Sequence, residues 1–127
     1  MKKILVTIAI IAAIIGLANN MAFAEEKAPQ IVTGTITYNG APVSGATVKL
    51  YNSGWCYRLS SFPSTTEGLY EIRGSEPAGT YYLTVNVAPN KWARASFYYP
   101  GIGYPVPGVN LALSTAREPL RPPCNDE

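Results

Sequence analysis

The chain has no histidine. That removes the side chain that titrates nearest neutral pH, every Ser–His or Cys–His nucleophile pair, and the commonest transition-metal ligand. Aspartate is nearly as scarce: Asp126 stands alone, which excludes an Asp-rich calcium loop. The two cysteines, Cys56 and Cys124, are too few for a cysteine-only zinc site. Past residue 24 there is no helical period and no second long apolar run, so no membrane-spanning segment is expected beyond that residue.

The first 24 residues differ in kind. Lys2 and Lys3 are followed by an apolar run from Ile4 to Ala18, broken by Thr7 and Gly16, then by Asn19, Asn20 and the small-residue triplet Ala22-Phe23-Ala24. This is the layout of a bacterial-type export signal, with cleavage expected between Ala24 and Glu25. The apolar run is shorter than the roughly 20 residues a spanning helix needs. No cysteine stands after the cut, so no lipid-modified N-terminus is expected. The mature chain is then a protein of roughly 100 residues, enough for one domain, in the periplasm or the medium. Lysine and arginine number 10 against 8 acidic residues. Since Lys2 and Lys3 leave with the signal, the mature balance is near zero, which argues against nucleic acid or an anionic membrane surface as partner. In an oxidising compartment Cys56 and Cys124 most simply pair with each other, the alternatives being a free or an intermolecular thiol. The closed loop would stabilise the fold by about 4 kcal/mol.

The mature sequence reads as short alternating runs between turn residues, the pattern of a β-sandwich. Val32, Ile36 and Tyr38 share one face of the first run and threonines the other. Ala46, Val48 and Leu50 point inward in the second. A less regular run from Trp55 to Phe62 carries Cys56. Tyr70 and Ile72 share a face in Leu69–Arg73, and Tyr81, Leu83, Val85 and Val87 in Thr80–Val87. Trp92–Tyr99 and Val109–Leu113 complete seven expected strands, the number a small two-sheet sandwich uses. The organisation expected is a signal at 1–24, an N-terminal extension at 25–30, one domain at 31–113, and a Pro-rich tail at 114–127 with little to bury.

Several segments occur in an order that resembles the carboxypeptidase regulatory-like domains. These are Val32-x-Gly34-x-Ile36, then Asn39-Gly40-Ala41-Pro42-Val43-Ser44-Gly45-Ala46-Thr47-Val48-x-Leu50, then Thr65-Thr66-Glu67-Gly68-x-Tyr70-x-Ile72. Next come Pro77-Ala78-Gly79-Thr80-Tyr81-x-Leu83-x-Val85, Tyr98-Tyr99-Pro100-Gly101 and Gly108-Val109-Asn110-Leu111-Ala112-Leu113. The resemblance covers residues 31–113. It implies an all-β, seven-stranded Greek-key sandwich of transthyretin-like (prealbumin-like) type, a domain that usually accompanies other functions. The stretch between Tyr-Pro-Gly and the last strand is shorter than the family's. Two enzyme types on related sandwiches, the hydroxyisourate hydrolases and the intradiol dioxygenases, depend on histidines this chain lacks.

No other reaction assembles from the residues present. Glu67 and Glu71 would stand about 13 Å apart along an extended chain, too far for a glycosidase pair. Lys49 and Asn110, the residue types of an isopeptide crosslink, both fall at outward positions. Aromatic residues are the positive signal. Tyr51 and Tyr82 read as cross-strand partners. Trp92, Tyr98, Tyr99 and Tyr104 form a candidate binding surface around the Pro/Gly-rich loop, since exposed tyrosine and tryptophan give contact area at low entropic cost. The expectation is a non-enzymatic, cofactor-free exported module that binds a protein partner or gives structural support, with a carbohydrate ligand on the aromatic loop as the alternative.

Overall fold

The structure is a computed structural model and describes residues 28–125. The expected export signal, its cut between Ala24 and Glu25, and the start of the extension lie outside the described residues, as do Asp126 and Glu127. Among the described residues there is no helix, and eight strands form: β1 (Gln30–Tyr38), β2 (Ala41–Pro42), β3 (Val48–Asn52), β4 (Tyr57–Ser60), β5 (Leu69–Arg73), β6 (Gly79–Val87), β7 (Lys91–Tyr99) and β8 (Leu111–Ala112). The strand beyond the seven expected is β2. It exists because Asn39 (φ 51°) and Gly40 (φ 82°) both take left-handed angles, the requirement of a type I′ hairpin, and fold Ala41-Pro42 back on Thr37-Tyr38.

Two four-stranded sheets face each other. One runs β4-β3-β6-β7, entirely antiparallel; the other is built on β1, which pairs antiparallel with β2 and β5 and parallel with β8. The parallel contact extends beyond β8: Val106 N–H donates to Ile31 O, Val109 N–H to Thr33 O and Leu113 N–H to Thr37 O. Between the sheets lie Val32, Ile36, Val48, Leu50, Ile72, Leu83 and Val85, each no more than 1% exposed. These are the positions the alternation assigns to the core, and removing such side chains from water is the main driving force for a sandwich.

One glycine is needed by this packing. A Cβ on Gly34 would run into the Val109 carbonyl and meet Tyr70 Cε1 at 2.9 Å. Its absence lets Tyr70, the cross-strand neighbour of Gly34, lie over β1 and donate its phenol proton to Val109 O at 2.5 Å.

The third run departs from expectation at its start. Trp55 has φ 62°, so the chain turns there and β4 begins at Tyr57. Trp55 thereby lies on the outside of the β4-β3-β6-β7 sheet, stacked on Tyr82 with ring centroids 4.3 Å apart and planes 5° from parallel. Tyr51 and Tyr82 are directly opposite each other, as cross-strand partners.

Residues 114–125 form a strap over this outer face. Ser114 exchanges backbone hydrogen bonds with Trp92. Trp92 Nε1 donates to Ala116 O at 2.6 Å, Asn86 Nδ2 to Glu118 Oε1 at 2.7 Å, and Arg94 to Glu118 Oε2 at 3.2 Å and to Pro119 O. The Arg121 guanidinium lies 4.8 Å from the Tyr51 ring centre. Cys124 then bonds Cys56, with Cα atoms 4.6 Å apart, and Asn125 N–H donates to Gly54 O at 2.8 Å. The cysteines pair with each other, and the expected tail is a covalently anchored strap whose residues are nonetheless mostly exposed.

Candidate functional site

The four aromatic residues expected to form one surface are not brought together. Tyr99 continues the inward series Ala93, Ala95, Phe97 on β7 and is 0% exposed, its ring edge-on to Tyr81, so it belongs to the core. Trp92 lies on the outer face, half-buried, with its indole N–H taken by the strap. Tyr98 shares that face six residues further on, about 20 Å away along an extended strand. Tyr98 and Tyr104 are exposed at the same end of the chain path, with Ile102 exposed between them. The reason is strand parity: in β7 even-numbered residues face out and odd-numbered residues face in, which splits Tyr98 from Tyr99.

A broad concavity lies elsewhere, on the outer face of the β1 sheet. It is a groove of ≈ 800 Å³ with Thr33 and Thr35 of β1 and Leu69, Glu71 and Arg73 of β5 as its floor. Phe62 and Pro63 form one wall, Gly108 and Asn110 the other. Phe62 is 89% exposed, and Leu69 is also exposed. Two buried serines explain why a phenylalanine stands outside. Ser61 Oγ accepts the Val48 N–H at 2.9 Å. Ser64 Oγ accepts the Ala46 N–H at 3.0 Å and donates to Val43 O at 2.6 Å. The serines satisfy backbone groups ahead of and within β3 that would otherwise be buried unpaired, and in doing so turn the intervening Phe62-Pro63 outward.

The polar groups of the groove are held in place. Asn110 Oδ1 accepts both the backbone N–H (3.1 Å) and the hydroxyl (3.0 Å) of Thr35. Glu71 pairs with Arg73, which also donates to Ala28 O at 3.0 Å. The floor is bordered by an open strand edge. Thr33 bonds to Val106 and Val109 on its far side, so Thr33 and Glu71 are a non-hydrogen-bonded antiparallel pair. Glu71 therefore turns its backbone N–H and C=O away from β1, and β5 has no further strand beside it among the described residues.

A second polar group lies at the β4 end of the sandwich. Arg58 clasps the buried Glu76 through Nε (2.9 Å) and Nη2 (3.2 Å). Tyr81 donates its hydroxyl to Pro77 O at 2.6 Å, and burial, reinforced by the Glu76 charge, raises its phenol above the ordinary range. The Tyr99 hydroxyl is buried without a hydrogen-bond partner. Among the described residues no three His, Cys, Asp or Glu side chains gather as a metal site, and no helix is long and apolar enough to cross a membrane. Lys49 and Asn110 are both exposed, Lys49 on β3 and Asn110 bonded to Thr35 of β1 in the other sheet, an arrangement that gives no isopeptide bond.

Phe62 and the groove escape a reading of residues 55–62 as one strand. The spacing Ser61-Phe62-Pro63-Ser64, an apolar residue between serines and before a proline, is the signal that could have found them. Comparison with models of known protein families and with curated proteins finds no match.

Proposed function

We propose that this chain is an exported, non-catalytic β-sandwich module of carboxypeptidase regulatory-like, Greek-key type, and that it acts by binding an extended segment of a protein partner in the groove of the β1 sheet. The observation that carries the reading is the pairing of an 89% exposed Phe62 with the outward N–H and C=O of Glu71 across one groove. An extended peptide laid beside β5 would find both main-chain hydrogen bonds and an apolar contact for alternate side chains. The reading of no catalysis rests on a chain without histidine and on three of the four described carboxylates being occupied in ion pairs, Glu71 with Arg73, Glu76 with Arg58 and Glu118 with Arg94, while Glu67 stands exposed in a turn. The intramolecular disulfide is consistent with export.

A photo-crosslinking amino acid in place of Phe62, installed in cells, tests the proposal. A discrete protein adduct that is lost when the crosslinker is moved to Ala78, in the exposed turn before β6 and away from the groove, is the expected result. Adducts of equal yield at both positions, or none at Phe62, would overturn it. The sugar reading has its own observation, a freely exposed ring beside Thr33, Glu71 and Asn110. A glycan panel distinguishes it: binding abolished by Phe62→Ala would move the assignment from peptide to carbohydrate.

A further inference from the structure

The strap holds on by unusual means. Between its backbone bonds at Ser114 and Asn125, its contacts to the sheet run through a side chain on at least one of the two partners: Trp92, Asn86 and Arg94 below, Glu118 and Arg121 above. From Thr115 to Asn125 every residue is exposed except the half-buried Glu118, and Leu120 is 93% exposed. So little apolar burial does not offset the conformational entropy of ordering the segment. The covalent bond to Cys56 supplies the missing term.

Beneath the strap is a site built for its occupant. The Glu118 carboxylate is divided between Asn86 and Arg94, the next carbonyl (Pro119) is also held by Arg94, and Ala116 O is held by the Trp92 indole. Arg94 stands between two indoles, 5.6 Å from the Trp55 ring centre and 5.9 Å from that of Trp92. Its Nε is buried with no hydrogen-bond partner, so the strap does not use all that the site offers. Lys49 adds a second positive charge on the same face.

We propose that the Cys56–Cys124 disulfide is a releasable latch, and that the face around Asn86, Trp92 and Arg94 recognises extended polypeptide carrying a glutamate followed by proline, a place Glu118-Pro119 fills until the latch opens. The opening reagent is a dithiol. Its thiolate attacks Sγ of Cys124, the exposed partner; the sulfur–sulfur bond breaks and its electron pair leaves on Sγ of Cys56, which takes a proton. The reductant's second thiolate then attacks the mixed disulfide, becoming oxidised to its own disulfide and releasing Cys124, which is protonated in turn. Two electrons and two protons pass from the dithiol to the protein.

The two tryptophans make the test direct, since both line this face and the chain has no others. In 15N-labelled mature protein, dithiothreitol should shift both indole N–H signals and speed amide exchange at Asn125, whose N–H is held by Gly54 O, at least tenfold, while the remaining spectrum keeps its dispersion. An acetylated peptide of residues 114–121, titrated to millimolar concentration, should then return the Trp92 indole toward its oxidised position. The same peptide with Glu118→Gln, or a protein with Arg94→Gln, should require at least tenfold more peptide. Cys56→Ser with Cys124→Ser should reproduce the reduced spectrum without reagent. The proposal is overturned if reduction leaves the indole signals in place, if it unfolds the domain, or if the peptide has no effect or acts equally with glutamine.

Discussion

Tyr70 shows how one residue ties strand, core and terminus together. It sits where Gly34 leaves room, reaches across β1 and bonds a carbonyl of the segment that returns beside it. Burial disfavours its phenolate and so raises its pKa above the ordinary value near 10. Because the folded value is the raised one, the stabilisation is complete below the unfolded pKa and is lost as pH climbs above about 10. Urea unfolding between pH 9 and 11 should show stability falling with pH, and Tyr70→Phe should flatten that slope. The same variant should cost about 1 kcal/mol at neutral pH from the lost hydrogen bond. A slope unchanged by Tyr70→Phe would assign the titration to Tyr81, whose phenol is also raised.

At the scale of elements, alternation made most of the fold readable. Val32 and Ile36, Val48 and Leu50, Tyr70 and Ile72, and Tyr81, Leu83 and Val85 all face the core as their spacing requires. The failures occur where something other than period sets direction. Ser61 and Ser64 turn inward because backbone donors and acceptors on the second run need them, and Phe62 is expelled as a consequence. Trp55 takes a left-handed backbone angle unusual for its type, and the contact offsetting that is its stack on Tyr82. Tyr82→Ala should therefore destabilise the domain by about 1 kcal/mol beyond the lost area of the ring. A double-mutant cycle with Trp55→Ala should show that coupling; additive losses would mean the two rings merely lie side by side. The candidate surface was legible in its residue types but not in its grouping, since parity along β7, readable in Ala93, Ala95 and Phe97, puts Tyr99 inside.

For the molecule as a whole, the disulfide closes a loop across a sequence separation of 68. Loop closure alone gives about 4 kcal/mol, a large share of the roughly 5–15 kcal/mol typical of a domain. That figure assumes that the reduced native state stays as ordered as the oxidised one. A strap that lets go regains its own chain entropy in the folded protein, so Cys56→Ser with Cys124→Ser should cost less, about 2 kcal/mol by urea unfolding. A loss of the full closure value would mean that the strap stays docked without its bond.

The parallel pairing of β1 with the returning segment also has a mechanical side. With the disulfide reduced, a pull at the two ends of the described chain would load those strands lengthwise, against all their hydrogen bonds at once. With the crosslink intact, β8 lies inside the closed loop and off the line of force: tension runs along β1 to Cys56, across the sulfurs and out through Cys124. At about 3.4 Å per residue, the oxidised chain can then lengthen to roughly 100 Å, whereas the reduced chain can extend to roughly 330 Å. One sulfur–sulfur bond thus decides whether the domain behaves under tension as a short tether or as an extensible one.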